Sequence, residues 1–257
     1  MHRALLTVHF GTAAPESRAL DLGGVEAALT AAFPHLQRLT AYTSPTIRRI
    51  LARRGETLLS LDQALEQAAL EGVEELFLLP SHLLPGYEYD AICETAAAFR
   101  PRFAALRLAL PLLGDTWGVR ELGDILTQRF ERRPGRAVVL VGHGTAHPGN
   151  LVYPALQGVL DLMGREDVLI GTVEGWPGQE EVLSRLEQLD AREVLLAPLL
   201  LTAGTHAKED IAGEGADSWR SRLTQAGYQV ELSLDGLGRL PQVQGLYVRR
   251  VQDLMEG

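Results

Sequence analysis

The chain of 257 residues is long enough to bury a core in one large domain or in two smaller ones, and its hydrophobic (46%) and charged (22%) fractions are typical of globular proteins. Its formal net charge of -9 disfavours a nucleic acid or an anionic membrane as partner, because both are bound through basic surfaces. The one cysteine, Cys93, excludes an internal disulfide and any cysteine-rich zinc site.

Short apolar runs alternate with longer segments of helical period along the whole chain, which is the pattern of parallel strands connected by helices. The sequence therefore predicts an α/β fold. Amphipathic segments such as 61–71 and 182–189 are predicted helices, and the helix predicted at 118–130 suits either half of the chain. The predicted strands, in chain order, are residues 4–9, 38–43, 75–80, 106–112, 137–142, 168–173, 194–200 and 229–234.

The two halves of the chain resemble each other. Residues 8–15 align with residues 141–148, and five of the eight positions are identical. Residues 80–88 align in the same way with residues 198–206. Both aligned segments run from a strand into a loop, so an internal duplication accounts for them.

A duplication predicts two similar Rossmann-like or flavodoxin-like lobes, each a parallel sheet flanked by helices. A polar, turn-forming stretch around residue 133 places the lobes at residues 1–133 and 134–257. In open parallel sheets the ligand lies beyond the carboxyl ends of the strands. We therefore expect an active-site cleft between the lobes, with the metal ligands on the C-terminal lobe.

Three side chains able to bind a metal follow strands of the second half. His143, Glu174 and His206 each stand just beyond the end of a predicted strand. Two imidazoles and a carboxylate suit divalent Co, Fe, Ni or Zn and leave coordination positions open. The alternative for each histidine is a structural hydrogen-bonding role. Glycines that allow close approach of a bulky ligand stand beside these positions, namely Gly142, Gly144 and Gly204.

The repeat alignment places Phe10 where the second half has His143, and Glu88 where it has His206. The first half thus offers an aromatic face and a carboxylate in place of metal ligands. A flat, partly apolar ring beside Phe10, with Glu88 near its centre, fits this divergence. The alternatives are a core position for Phe10 and a helix-capping role for Glu88.

The chain resembles the class II chelatases along its whole length, and most closely the anaerobic cobaltochelatases that act on sirohydrochlorin. The resemblance implies that His143, Glu174 and His206 bind the metal and that Glu88 faces it from the other lobe. It is carried by residues 10–12, 81–89, 142–147, 171–177, 203–207, 217–219 and 236–238. The substrate-binding residues predicted with it are Phe10, Gly11, Thr12, His82, Gly86, Gly144 and Thr145, and the catalytic ones are His143 and Glu88.

The expected function is the ATP-independent insertion of Co²⁺ into sirohydrochlorin, in anaerobic cobalamin biosynthesis. Iron or nickel insertion, with Fe²⁺ or Ni²⁺, is the alternative. Lys208 is the only lysine, so the Gly-Lys-Ser/Thr triplet of a nucleotide-binding P-loop is absent. Glu88 or one of the imidazoles is the expected acceptor of a pyrrole proton.

Two rival functions use the same residues. A tetrapyrrole or metal carrier would bind without turnover, and a hydrolase would use the segment around His143. The second rival is disfavoured because no Gly-x-Ser-x-Gly motif exists. The expected partner is the tetrapyrrole itself, with no nucleic acid, no membrane and a homo-oligomer as an open possibility. The cytoplasm is the expected location because the first apolar stretch is short and His9 interrupts it.

Several polar residues add detail to this hypothesis. His9 stands where the chelatase pattern usually has a small polar residue, and Thr205 stands where an acid is common. His147 and Asp210 are candidates for supporting the metal ligands, with a solvated surface as the alternative for Asp210. An arginine cluster that could grip substrate carboxylates, with a solvated basic face as its alternative, comprises Arg48, Arg49, Arg53 and Arg54.

Overall fold

The eight predicted strands are all present in a computed structural model of the chain, which describes residues 2–204 and 207–256. Five of them end earlier than predicted: the second and sixth by one residue, the eighth by two, the fourth at Leu108, before the turn at 111–114, and the seventh at Pro198. Proline lacks the N–H that would continue the ladder. The strands are β1 Arg3–His9, β2 Gln37–Tyr42, β3 Glu75–Pro80, β4 Ala105–Leu108, β5 Arg136–Gly142, β6 Val168–Thr172, β7 Glu193–Pro198 and β8 Gln229–Leu232.

The strands form two four-stranded parallel sheets with the same topology. The first has the order β2-β1-β3-β4 and the second β6-β5-β7-β8. The registers correspond as well, since Val8 pairs with Pro80 in the first sheet and Val141 pairs with Pro198 in the second. The predicted α/β fold of two duplicated lobes is thereby confirmed. The cleft predicted between the lobes stays a prediction.

Helices connect the strands in both halves. None of those within the described residues is long and apolar enough to cross a membrane. Shorter π or 3₁₀ segments lie at Arg18–Leu22, Arg100–Arg102, Pro148–Leu151, Ala207–Ile211 and Leu237–Arg239. The α-helices are α1 Pro15–Ser17, α2 Gly23–Ala32, α3 Pro45–Ala52, α4 Leu61–Leu70, α5 Tyr87–Phe99, α6 Thr116–Arg129, α7 Val152–Leu162, α8 Gln179–Leu186, α9 Trp219–Gln225 and α10 Pro241–Glu256.

The central strands of each sheet form its core. Every residue of β3 and of β5 is buried, as expected for strands that helices cover on both faces. In the first half, one face of the sheet packs on α4 through Ala64, Leu65 and Ala68. In the second half, Trp219 of α9 packs against Gly171, where a Cβ would lie only 2.3 Å from the indole ring.

The chain divides into two compact units at positions that differ from the predicted boundary. Unit 1 comprises Met1–Asp115 with Gly238–Gly257, and unit 2 is Thr116–Leu237. The helix α6 packs on α7 within unit 2, where a Cβ at Gly123 would lie 2.8 Å from Val159 Cγ1. The buried Arg165 also donates to the carbonyls of Thr127 and Phe130 near the end of α6.

The last helix, α10, belongs to unit 1 because its polar side chains bond to that unit. Arg250 is buried and donates to both carboxylate oxygens of Asp115, at 2.6 and 2.9 Å. The hydroxyl of Tyr247, also buried, donates to the Ser81 carbonyl at 2.8 Å. The predicted boundary at residue 133 places this helix in the C-terminal lobe, residues 134–257, whereas the structure groups it with the N-terminal strands.

Replacement of Tyr247 by phenylalanine is expected to lower the free energy of unfolding by about 1 to 2 kcal/mol, because the buried Ser81 carbonyl loses a donor. Urea denaturation followed by circular dichroism measures the change. Tyr228→Phe is the control, since that ring is half-buried and its hydroxyl makes no hydrogen bond within the described part of the chain. Equal stability of the two variants would contradict the role given to the Tyr247 hydroxyl.

Candidate functional site

Two of the three predicted metal ligands lie together at the carboxyl edge of the second sheet. The loops after β5 and β6 stay paired beyond the strands, because the Glu174 amide donates to the His143 carbonyl at 2.8 Å. This pairing brings His143 Nδ1 to 3.8 Å from Glu174 Oε2. Both side chains are more than half exposed, at 56% and 66%. An imidazole and a carboxylate therefore stand side by side and open to solvent.

The hydrogen bond of His143 leaves one ring nitrogen available to a metal. Its Nδ1 lies 3.1 Å from the carbonyl of Gly144. A carbonyl only accepts, so this contact requires the proton on Nδ1 and leaves the lone pair of Nε2 available. That tautomer is the one needed for coordination through Nε2.

The third predicted ligand, His206, lies outside the described residues. Gly204 precedes it, and the π-helical segment Ala207–Ile211 follows it. Within residues 2–204 and 207–256, no three His, Cys, Asp or Glu side chains gather as a metal site. The predicted triad is therefore represented by the pair of His143 and Glu174.

Glycine allows the two ligand loops to touch. Gly144 has a φ of +80°, and a Cβ there would lie 2.3 Å from the Gly175 nitrogen. Gly142 leaves room for the buried ring of Tyr153, whose hydroxyl accepts from the Gly144 amide at 3.3 Å. Burial raises the pKa of Tyr153, so its hydroxyl stays protonated at neutral pH. The buried Tyr153 side chain thus holds the loop after β5 in place.

Side chains from the same loops complete this support. The Asn150 side chain accepts from the Thr145 amide at 3.0 Å and donates to the Trp176 carbonyl at 2.6 Å. His147, which the sequence suggested as a support for the ligands, accepts from the Gly149 amide and begins the segment Pro148–Leu151. Its imidazole therefore holds a loop.

The corresponding edge of the first sheet carries the predicted ring-binding residues. Phe10 is 48% exposed, so the alternative of a core position is wrong. Gly11 has a positive φ of +103°, and the aligned Gly144, in the loop after β5, has a positive φ of +80°. Thr12 is buried and accepts from the Ala14 amide at 3.2 Å, which makes it a turn residue.

Glu88 and Gly86 lie at the start of α5, after β3. Gly86 is buried and is the N-cap residue, and Glu88 is exposed in the first turn. Backbone N–H groups at a helix N-terminus favour a negative charge there. Glu88 is therefore a solvent-facing carboxylate held by a buried turn, consistent with a helix-terminal role as well as with a catalytic one.

A buried polar network that sequence reasoning missed lies at the same edge. His9 is fully buried, and its ring nitrogens lie 2.8 Å from Ser81 Oγ and 2.9 Å from Glu26 Oε1. Arg38 donates to the other oxygen of Glu26 at 2.6 Å. Burial raises the pKa of Glu26, but the hydrogen bond and charge of His9 and the charge of Arg38 outweigh it and lower that pKa overall.

His82 follows Ser81 and is predicted to touch the substrate. The residue is half-buried, yet both of its ring nitrogens are shielded from solvent and have no hydrogen-bond partner within the described residues. Burial, with a smaller contribution from the charge of His9, lowers the pKa of His82 to about 4. The imidazole is therefore neutral at physiological pH.

Residues 3–256 match the family model described as Cobalt chelatase (CbiK). The chain belongs to this cobalt chelatase family. It is 30% identical over 257 residues to a protein of Salmonella typhimurium named sirohydrochlorin cobaltochelatase, with 99% of this chain and 97% of the relative covered. It is 34% identical over 201 residues to sirohydrochlorin cobaltochelatase CbiKC of Nitratidesulfovibrio vulgaris, covering 76% and 70%.

Solved structures share the fold of this chain. SirB from Bacillus subtilis with Fe³⁺ superposes with a TM-score of 0.69 at 18% identity, covering 99% of this chain and 96% of that one. The sirohydrochlorin chelatase SirB from Bacillus subtilis subspecies spizizenii, in complex with cobalt, gives 0.64 at 16% identity, covering 100% and 96%. At these identities the likeness concerns the fold alone.

The substitution Gly144→Ala is expected to weaken Co²⁺ binding on the order of tenfold, because the added Cβ would displace one of the two ligand loops. Isothermal titration calorimetry measures the affinity. Gly158→Ala is the matched control, since a Cβ at Gly158, in the middle of α7, meets nothing within 4 Å. Unchanged affinity in Gly144→Ala would show that this loop contact does not set the ligand geometry.

The stability of the protein is expected to fall as the pH drops from 6.5 to 4, in part through His82. In this window the unfolded chain binds a proton at His82 that the folded chain does not bind, so folding is disfavoured as the pH falls. The variant His82→Leu should lose less free energy of unfolding than the wild type between pH 7 and pH 5, by on the order of 1 kcal/mol.

Urea denaturation at both pH values measures the difference. His35→Leu, at an exposed histidine, is the control and should keep the pH dependence of the wild type. A His82→Leu variant with the same dependence as His35→Leu would contradict the assignment.

Proposed function

We propose that this chain catalyses the insertion of Co²⁺ into sirohydrochlorin, without nucleotide hydrolysis, as a step of anaerobic cobalamin biosynthesis. The observation that carries the proposal is the open pair of His143 and Glu174 on adjacent loops of the second sheet. It lies in a chain that matches the cobalt chelatase family over residues 3–256. Relatives of that family are named sirohydrochlorin cobaltochelatase.

His143, Glu174 and His206 hold the metal ion as it is delivered. His143 contributes Nε2, the ring nitrogen that its contact with the Gly144 carbonyl leaves available. Three protein ligands leave coordination positions of Co²⁺ unfilled, and the pyrrole nitrogens of the substrate take them. The exposure of His143 and Glu174 suits this transfer, since a fully enclosed site would retain the ion.

The residues proposed to contact the macrocycle follow β1 and β3 in the first sheet and β5 in the second. Phe10 offers an exposed aromatic face to the flat ring. Gly11, Gly86, Gly144 and Thr145 contribute mainly backbone, which a bulky ring can approach closely. Thr12 shapes the turn after Phe10 from a buried position, and His82 contributes a neutral imidazole.

Metal insertion exchanges two pyrrole N–H protons for one dication, so the site must accept two protons. Glu88 is an exposed carboxylate and accepts one of them. His143 accepts a proton once the metal has left its Nε2. The charge balance is then complete without ATP, because the two released protons carry the same charge as the ion that enters the ring.

The variant His143→Ala is expected to lose at least about 100-fold in the rate of cobalt insertion while keeping its fold. An anaerobic assay that follows the visible absorbance of sirohydrochlorin with Co²⁺ measures the rate, and circular dichroism reports the fold. His35→Ala, at an exposed histidine elsewhere, is the control. Near-normal turnover by His143→Ala would remove the proposed metal site.

The same assay separates a chelatase from a carrier and identifies the metal. An enzyme forms many equivalents of metallated ring per protein, whereas a carrier forms at most one. A parallel series with Fe²⁺ and Ni²⁺ tests the ferrochelatase and nickel chelatase alternatives, since the affinity order of divalent metals does not reveal which one is used.

A further inference from the structure

We propose that Arg48 of α3 anchors a peripheral carboxylate of the tetrapyrrole, as part of a subsite that orients the ring. This inference rests on the proposed function, because sirohydrochlorin is the polycarboxylate concerned. Arg48 is a substrate-positioning residue here.

The helix α3 lies against the loop that carries Phe10. It begins at Pro45, after β2, and the amides of Thr43 and Ser44 donate to the carbonyls of His9 and Phe10 at 2.8 and 3.3 Å. The side chain of Ile47 packs so closely on Gly11 that a Cβ there would meet Ile47 Cγ2 at 3.1 Å. Arg48, the next residue, therefore belongs to the helix that packs on the loop carrying Phe10.

The helix and its C-terminal extension carry positive charge only. Residues 45–54 contain four arginines and no acid, in a chain whose net charge is -9. Arg54 donates to the Ala13 carbonyl at 2.7 Å, which secures the loop after β1. Within residues 2–204 and 207–256, the side chains of Arg48, Arg49 and Arg53 form no hydrogen bond and no ion pair. Among the described residues, no acid neutralises these three guanidinium groups.

Arg48 differs from the other two in burial. Arg49 and Arg53 are exposed, as cations on a solvated surface are, whereas Arg48 is half-buried and its Nε is shielded from solvent without an acceptor. A guanidinium that has lost part of its hydration binds a carboxylate more strongly than one that is fully solvated. Arg48 is therefore the member of the cluster suited to a direct contact.

The ligand class follows from charge. A protein of net charge -9 repels a polycarboxylate at long range, so a local cation has to hold the substrate. A guanidinium presents paired N–H donors that match the two oxygens of a carboxylate. The contact fixes the rotation of the ring in its plane and leaves the pyrrole nitrogens free for the metal.

The test compares Arg48→Gln with Arg49→Gln, which remove the same charge one residue apart on the same helix. Arg48→Gln is expected to raise KM for sirohydrochlorin about tenfold, with kcat for cobalt insertion within about twofold of the wild type. Arg49→Gln is expected to change KM by less than about twofold. Fluorescence titration of metal-free sirohydrochlorin measures the affinity for the ring independently of turnover, and Arg48→Lys should recover part of it.

Three results would overturn the subsite: an unchanged KM in Arg48→Gln, equal increases in both glutamine variants, which indicate a long-range field alone, or a loss of kcat without a change in ring affinity. Failure of the proposed function is distinguishable from these, because the wild type would then bind metal-free sirohydrochlorin without forming metallated product. Circular dichroism of Arg48→Gln confirms that the variant is folded.

Discussion

The candidate metal site depends on the pairing of two parallel strands beyond their ends. The amides of Val173 and Glu174 continue the ladder by donating to the carbonyls of Gly142 and His143. This register places the imidazole and the carboxylate on neighbouring loops, 3.8 Å apart. Support from Tyr153 and Asn150 then holds the loop after β5 in that place. Backbone hydrogen bonds, rather than side-chain attraction, therefore bring the ligands together.

The two sheets show how one topology supports different chemistry at equivalent positions. The last residue of β1 is His9, and the aligned last residue of β5 is Gly142. In unit 1 the imidazole of His9 fills the space and bonds to Ser81 and Glu26. In unit 2 the absent side chain makes room for Tyr153, which holds the ligand loop instead. Both arrangements hold the loops at the carboxyl edge of the sheet. In unit 1 the side chain comes from the strand itself, and in unit 2 it comes from the helix α7.

Much of this was predictable from sequence, and the misses have a common cause. Strands such as β3 and β5 were predicted because they are continuous apolar runs, and the proximity of His143 and Glu174 followed from the order of parallel strands. The sequence does not reveal that α10 packs in unit 1, because an amphipathic helix shows which face is buried but not which sheet it covers. The network around His9 was missed because patterning does not pair polar residues that are distant in the chain.

The placement of α10 has a consequence for biosynthesis. Unit 2 is continuous in the chain from Thr116 to Leu237, whereas unit 1 needs Tyr247 and Arg250, which are translated after all of unit 2. On the ribosome, all of unit 2 is therefore synthesised before the helix that completes unit 1. The N-terminal domain usually folds first during synthesis, whereas here one helix makes unit 1 the last of the two units to be completed.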